Sequence, residues 1–262
     1  MNKRLEDWVN WILYDELKNG VINAPKHLLG NHDYGDGQVI TVYRPYAEKV
    51  SVVSPTGKNR EEMECLAEGF YGYYSAKKKY KGTKYRIETT YQDGSTIVTA
   101  DAYAFDSQIT EFDTYLFAEG KLYDIYEKFG AHPMTIDGVK GTYFAVWAPH
   151  ARRVSVVGDF NMWDGSLNPM QMMQTSGIYE LFIPDVAPGA VYKYQILTRE
   201  GEILYKADPY GNQCQVRPDN ANVVADLVGY KWKDTDWIEN RKHQTRETEL
   251  KKPMANYECH LG

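Results

Sequence analysis

A chain of 262 residues with 43% hydrophobic and 25% charged residues, 21 Gly and 11 Pro has the composition of a folded protein, with length for two compact units, and excludes disorder and low complexity. A net charge of −6 argues against a nucleic-acid surface, because phosphate binding draws on clustered Lys and Arg. Three scattered cysteines (Cys65, Cys214, Cys259), no apolar leader after Met1 and no run of about 18 apolar residues predict reduced thiols in a cytoplasmic protein without membrane contact.

Leu5, Trp8, Val9, Ile12, Leu13 and Leu17 fall on one helical stripe, which predicts an amino-terminal helix stopping near Asn19-Gly20. After Pro25 the pattern turns to short β-rich runs, beginning with residues 38–43 and 49–53. The run Val42-Tyr-Arg-Pro-Tyr-Ala-Glu-Lys-Val-Ser-Val-Val53 returns as Val146-Trp-Ala-Pro-His-Ala-Arg-Arg-Val-Ser-Val-Val157, an offset of 104. Leu29-Gly-Asn-His32 returns as Phe129-Gly-Ala-His132. Further on, Gly82-Thr-Lys-Tyr85 and Ala100-Asp-Ala-Tyr103 return at an offset of 107 as Gly189-Ala-Val-Tyr192 and Ala207-Asp-Pro-Tyr210. The preserved order, short strands and X-Gly turns predict two related β-sandwiches of immunoglobulin-like type. Leu122, Ile125, Tyr126 and Phe129 predict a short connecting helix ending at Gly130.

The offset changes in the stretch that holds Gly158-Asp-Phe-Asn-Met-Trp-Asp-Gly165, so the two copies differ most there. Trp163 lies among turn-forming residues and is expected to be at least partly exposed. An aromatic plate with polar neighbours suits a pyranose, which has a C–H face and a rim of hydroxyls; packing against another surface is the competing reading. Trp147 alternates with Tyr143 and Ala145 and is expected in the core. Tyr192 and Tyr194 share a face by the same rule, leaving Lys193 on the other. The basic run from Lys77 to Arg86 reads as a Lys-rich sheet edge. His27 and His32, five apart near Asp33, find no third metal ligand of suitable spacing, and neither a nucleophilic triad nor a carboxylate pair can be traced.

Gly158-Asp-Phe-Asn-Met-Trp163, Tyr192-Lys-Tyr194 and Asp208-Pro-Tyr210 resemble carbohydrate-binding module family 48. The preceding part, with Tyr115-Leu-Phe-Ala-Glu-Gly120 and Tyr126-Glu-Lys-Phe-Gly-Ala-His-Pro133, is similar to the amino-terminal region of bacterial 1,4-α-glucan branching enzymes. Pro253 to Gly262 resembles the first strand of their catalytic barrel. The resemblance implies a mainly β chain of two tandem sandwiches plus an incomplete (β/α)8-barrel stub: residues 1–111 the helix and first sandwich, 112–130 the connector, 131–228 the glycogen-binding sandwich, 229–262 linker and stub. It implies a glucan site made of Trp163 as stacking plate, Asn161 beside it, Lys193 as donor to hydroxyls, and Asn222. Relatives with a second Trp after the hairpin turn differ here, where Ile203 and Leu204 stand.

The implied function is binding of α-1,4/α-1,6-glucan (glycogen or maltooligosaccharide) and substrate recruitment for a branching enzyme. That enzyme acts by retaining double displacement on a barrel whose catalytic residues this stretch does not carry. The chain is expected to be inactive alone, with no cofactor, no metal, no nucleic acid and no membrane partner; a barrel on a separate polypeptide stays open. The alternatives are a stand-alone glycogen-targeting module and the equivalent part of a starch debranching enzyme.

Overall fold

A computed structural model describes residues 2–229, 231–245, 247, 250–253 and 255–260. The amino-terminal stripe forms two helices rather than one, α1 (Lys3–Trp8) and α2 (Trp11–Lys18). Val9 turns extended, and the Asn10 side chain accepts from the amides of Ile12 and Leu13. A carboxamide offered to two backbone donors caps a new helix instead of continuing the old one. Leu5, Val9 and Leu17 stay buried, while Ile12, displaced from the stripe by the break, is 73% exposed.

The first sandwich contains β1 (Gly30–Tyr34), β2 (Gly37–Tyr43), β3 (Ala47–Val53), β4 (Arg60–Glu62), β5 (Glu64–Ala67), β6 (Phe70–Ser75), β7 (Arg86–Tyr91) and β8 (Thr96–Thr99). Its antiparallel sheets run β1-β2-β6-β5 and β4-β3-β7-β8. Alternation along each strand turns Ile40 and Val42 of one sheet, and Val50, Val52 and Ile87 of the other, into a core closed by Met63, Tyr71, Tyr73, Tyr80 and Tyr85.

The connector helix, α3 (Glu111–Ala118), comes earlier than the apolar spacing predicts. A capping box starts it: the Thr110 hydroxyl accepts from the Asp113 amide, and Asp113 accepts from the Thr110 amide. Of the predicted helix near 122–129, only one 3₁₀ turn forms, at Ile125–Glu127. The cap sets the start, and Gly120 at φ +67 ends the run before Leu122.

The second sandwich contains β9 (Gly130–Ile136), β10 (Val139–Trp147), β11 (Ala151–Gly158), β12 (Gln171–Met172), β13 (Ile178–Pro184), β14 (Val191–Thr198), β15 (Ile203–Lys206) and β16 (Asn222–Val223). The sheets are β12-β13-β10-β9 and β11-β14-β15, with β16 also paired to β14. The first of these is buried on both faces. Phe144 and Val146 enter the inter-sheet core, while Tyr143 and Ala145 pack outward under Phe105, Ile109, Phe117 and Phe129 of the connector. Trp147 belongs to that outward row but is not core: at the strand end it is 50% exposed, edge-on to Phe117, with its indole donating to the Ser176 carbonyl.

The repeat seen in sequence is physical. Tyr85 donates to Asp101 Oδ2 at 2.6 Å, and 107 residues later Tyr192 donates to Asp208 Oδ2 at 2.8 Å. In both copies the other carboxylate oxygen accepts an amide two residues on, from Tyr103 and Tyr210. Gly30 and Gly130 take φ +105 and +107, and a Cβ at either would fall 2.8 or 2.9 Å from the carbonyl of Tyr103 or Tyr210.

Residues 1–226 form one compact unit that holds both sandwiches. One apolar cluster runs from Val9, Tyr14, Leu17, Leu28, Leu29 and Tyr103 into the second sandwich. Buried Glu180 Oε2 accepts from the amides of Gln108 and Ile109 and from Tyr143, and Lys26 lies 3.8 Å from Oε1. The second unit, 227–262, carries α4 (Thr235–Lys242), with Arg241 5.3 Å over the Trp237 ring. Among its described residues no strand forms; residues 255–260 are exposed, so the predicted barrel strand is not made there, and Met254, Leu261 and Gly262 lie outside the described residues. A barrel strand needs parallel neighbours to take its backbone groups, and among the described residues of this unit none is present.

Removing the donor to a buried carboxylate costs about 1.5–3 kcal/mol. Tyr85→Phe is expected to lower unfolding free energy by that much in urea titration. Tyr192→Phe should cost less, because Tyr194 also donates to Asp208 Oδ2.

Candidate functional site

The site lies on the outer face of the sheet β11-β14-β15, where residues 159–168 fold back over it. Antiparallel register puts Val157 opposite Lys193, Ser155 opposite Gln195 and Arg153 opposite Leu197. Residues directly opposite share a face, so Lys193 and Gln195 point outward while Tyr192 and Tyr194 point into the core. Both tyrosines bond Asp208, whose carboxyl is pushed up by burial despite those donors; this clamp fixes the rotation of β14 and hence the direction of Lys193.

The loop opens with a 3₁₀ turn, Asp159–Asn161, followed by Met162 and Trp163, both left-handed at φ +56 and +60. Two such residues without glycine cost about 1–2 kcal/mol each. Opposing this, Trp163 donates its amide to the Gly158 carbonyl at 2.9 Å and its indole Nε1 to Asp159 Oδ1 at 2.8 Å. The indole is thus held at a fixed angle and left half-buried.

Asn161, expected beside that plate, is inside the loop at 5% exposure. Its Oδ1 accepts from Gly158 N, and its Nδ2 donates to the Val156 carbonyl and to Asn168. Asn222 is 1% exposed: Oδ1 accepts from the Asp208 amide, and Nδ2 faces Cys214 Sγ at 3.5 Å. Both asparagines spend their polar atoms on protein and brace the loops instead of facing solvent. Lys193 is half-buried and donates to the exposed Asn220. The structure therefore brings Trp163 and Lys193 to the same end of the β11/β14 pair, and places Asn161 and Asn222 beneath it.

Four residues the sequence reading did not single out complete the surface and its support. Arg153 is buried: Nη1 donates to the Gly165 carbonyl at 2.7 Å and to Ser155 Oγ, and Nη2 donates to Gln195 Oε1 at 2.6 Å. Burial pulls its guanidinium below the usual range, with the Asp164 charge opposing. Gln195 Nε2 donates in turn to the hydroxyl of Tyr205, an exposed aromatic on the same outer face, two residues after Ile203. Alternation along β11 and β15 was the signal that could have found Arg153 and Tyr205. Tyr46, from the first sandwich, donates to Asp164 Oδ2 at 2.6 Å.

The surface is a flat indole, a phenol, an amine and a carboxamide, chemistry suited to a neutral polyhydroxylated ligand. Among the described residues no group of three or more His, Cys, Asp or Glu is placed to hold a metal ion, and no helix is long and apolar enough to cross a membrane.

A Cβ on Gly165 would fall 2.0 Å from Gln195 Oε1 and 2.5 Å from Cδ, and that carboxamide is held by Arg153 and Tyr205. Gly165→Ala is expected to destabilise by about 1–3 kcal/mol in urea titration. Burial alone would raise the Asp164 carboxyl, but the Tyr46 hydroxyl, the Ser166 amide and the Arg153 charge hold it below the usual range. Its contribution to stability is complete above the ordinary value of about 3.9 and is lost as pH falls through the lower folded value. Tyr46→Phe should move the Asp164 titration upward, read by carbon-13 NMR of the carboxyl.

Residues 12–103 match the family described as alpha-1,4-glucan branching enzyme GlgB, N-terminal domain, and residues 128–211 match Carbohydrate-binding module 48 (Isoamylase N-terminal domain). The chain is 43% identical over 243 residues to the 1,4-alpha-glucan branching enzyme GlgB of Trichodesmium erythraeum, covering 91% of this chain and 30% of that protein. Against the enzyme of the same name from Synechocystis sp. it is 44% identical over 238 residues, covering 90% and 30%. A solved pullulanase from Anoxybacillus sp. LM18-11, complexed with maltotriose, aligns with 76% of this chain and 28% of its own at 17% identity and a TM-score of 0.32. The chain spans about 30% of the length of these curated relatives. Its first sandwich is thus the part that matches the amino-terminal domain family of α-1,4-glucan branching enzymes, and its second the part that matches carbohydrate-binding module family 48.

Proposed function

We propose that this chain is the α-glucan-binding, substrate-recruiting portion of a 1,4-α-glucan branching enzyme. The observation that carries the reading is the Trp163 indole, held by Gly158 and Asp159 at the end of β11, where the neighbouring Val157 pairs with Lys193. Trp163 stacks on the C–H face of a glucosyl unit, and Lys193 and Asn220 meet the hydroxyl rim. Asn161 and Asn222 act from beneath, by holding the loop and the β14–β16 corner.

Covering on the order of 100 Å² of apolar surface contributes about 2.5 kcal/mol before ordering costs, so one plate gives weak binding. Weak binding suffices when the module is joined to the catalytic part, because tethering raises the local concentration of glucan. The transfer of an α-1,4 chain to an α-1,6 branch point belongs, in this reading, to the part of the longer relatives that lies outside the matched stretch. Their shared name along nine-tenths of this chain favours this reading over a stand-alone targeting module.

The test is affinity electrophoresis in glycogen together with calorimetric titration by maltoheptaose. Trp163→Ala is expected to weaken binding by about 1–3 kcal/mol with a nearly unchanged melting temperature, since a half-exposed loop indole carries little of the core. Lys193→Ala should weaken it by about 0.5–1.5 kcal/mol. Wild-type affinity in both variants, or no retardation of the wild type, would sink the reading.

A further inference from the structure

The loop that carries Trp163 has a second side. Phe160 and Met162 of this loop line a cleft of about 280 Å³ whose walls also include Tyr46, Tyr91 and Ile97 of the first sandwich and Asp185 of the second. Both sandwiches lie in the one compact unit, so these walls are parts of one body.

Phe160 stacks on Phe144 of the core, but Ile97, Tyr46 and Met162 are displayed at this cleft rather than packed. Ile97 lies opposite Thr89, on the face of β7 and β8 that buries Ile87 in the core, yet it is 50% exposed. Tyr46 is 54% exposed and Met162 69%. Met162 sits at φ +56, where Asn or Gly would be less strained, so a large thioether is kept at the cleft at a conformational cost. Around these groups stand Arg44, the carboxyls of Asp101 and Asp185, and the carboxamides of Asn161 and Asn168, two acids against one base. A lining with more acid than base disfavours a phosphate or a polyanion; flat phenols and a thioether, edged by carboxamides and carboxyls that can meet hydroxyls, match a pyranose.

We propose that this inter-sandwich cleft is a second α-glucan subsite, to which the first sandwich contributes Tyr46, Tyr91 and Ile97. The proposal rests on the glucan-binding reading of the Trp163 face and extends it across the loop. The two surfaces are contiguous: Asp164 follows Trp163 in the chain and accepts the Tyr46 hydroxyl, so one side chain separates the indole from the phenol. A linear glucan of several units seated on Trp163 continues past Tyr46 into the cleft, whereas a short one occupies the indole alone. The first sandwich thereby becomes part of the site and selects longer chains.

The test compares maltotriose and maltoheptaose by calorimetry on the whole chain. Ile97→Asp and Tyr91→Ala are expected to weaken maltoheptaose by about threefold to tenfold and to leave maltotriose unchanged, with melting temperature as the check on folding. Tyr46→Ala should do the same, while Tyr46→Phe, which keeps the ring but loses the bond to Asp164, should bind maltoheptaose as the wild type does. Equal losses in Tyr46→Phe and Tyr46→Ala would overturn the role of Tyr46 as a cleft contact. If Trp163→Ala abolishes binding of both sugars while Ile97→Asp and Tyr91→Ala change neither, the cleft proposal falls and the glucan-binding reading stands. If the wild type binds neither sugar, both fall.

Discussion

The buried carboxylate of Asp208 is the constraint on which the site depends. It takes hydrogen bonds from Tyr192, Tyr194 and the Tyr210 amide, and its own amide donates to Asn222. Those bonds tie three pieces of chain: the middle of β14, the return after β15, and β16. Strand residues alternate, so fixing two tyrosines inward leaves Lys193 no direction but outward. The same Tyr–Asp pair at Tyr85 and Asp101 closes the first sandwich, where no comparable loop has been added. The face that carries Lys193 is built on this corner.

In the second copy the turn after β11 is three residues longer than its counterpart and becomes the loop 159–168, whose support is polar. A buried guanidinium, Arg153, sits under Gly165 and is solvated by neutral oxygens, with its Nε left without a partner among the described residues. Such a group is costly unless the loop stays closed over it with every remaining bond made. The left-handed Met162 and Trp163 are held in the same way, by bonds that exist only when the loop is in place. The loop is therefore an all-or-none structure, suited to presenting an indole at one angle.

Much of this was legible in the sequence, and the exceptions share a cause. The tandem sandwiches could be read because Gly30/Gly130, Tyr85/Tyr192 and Asp101/Asp208 each sit where backbone geometry or a buried bond tolerates few residues. The outward direction of Lys193 followed from alternation alone. Periodicity failed where a local cap overruled it: Asn10 split the first helix, and the Thr110 capping box moved the connector helix forward. Trp147 kept its predicted face but ran out of neighbours at the strand end. Asn161 and Asn222 were the hardest, since an asparagine that braces a loop from within and one that greets a ligand have the same turn-rich surroundings in sequence.

The apolar cluster that runs from α2 and Tyr103 into the second sandwich has a thermodynamic consequence. The stretch that matches the carbohydrate-binding family begins at residue 128, but Val9, Leu17, Leu28 and Leu29 complete its core, and Glu180 inside it is neutralised by backbone amides and Lys26 from outside that stretch. A family boundary is thus not a folding boundary. Cut at residue 128, the module would bare an apolar face and strand a carboxylate, so the two sandwiches are expected to melt together, as one cooperative transition.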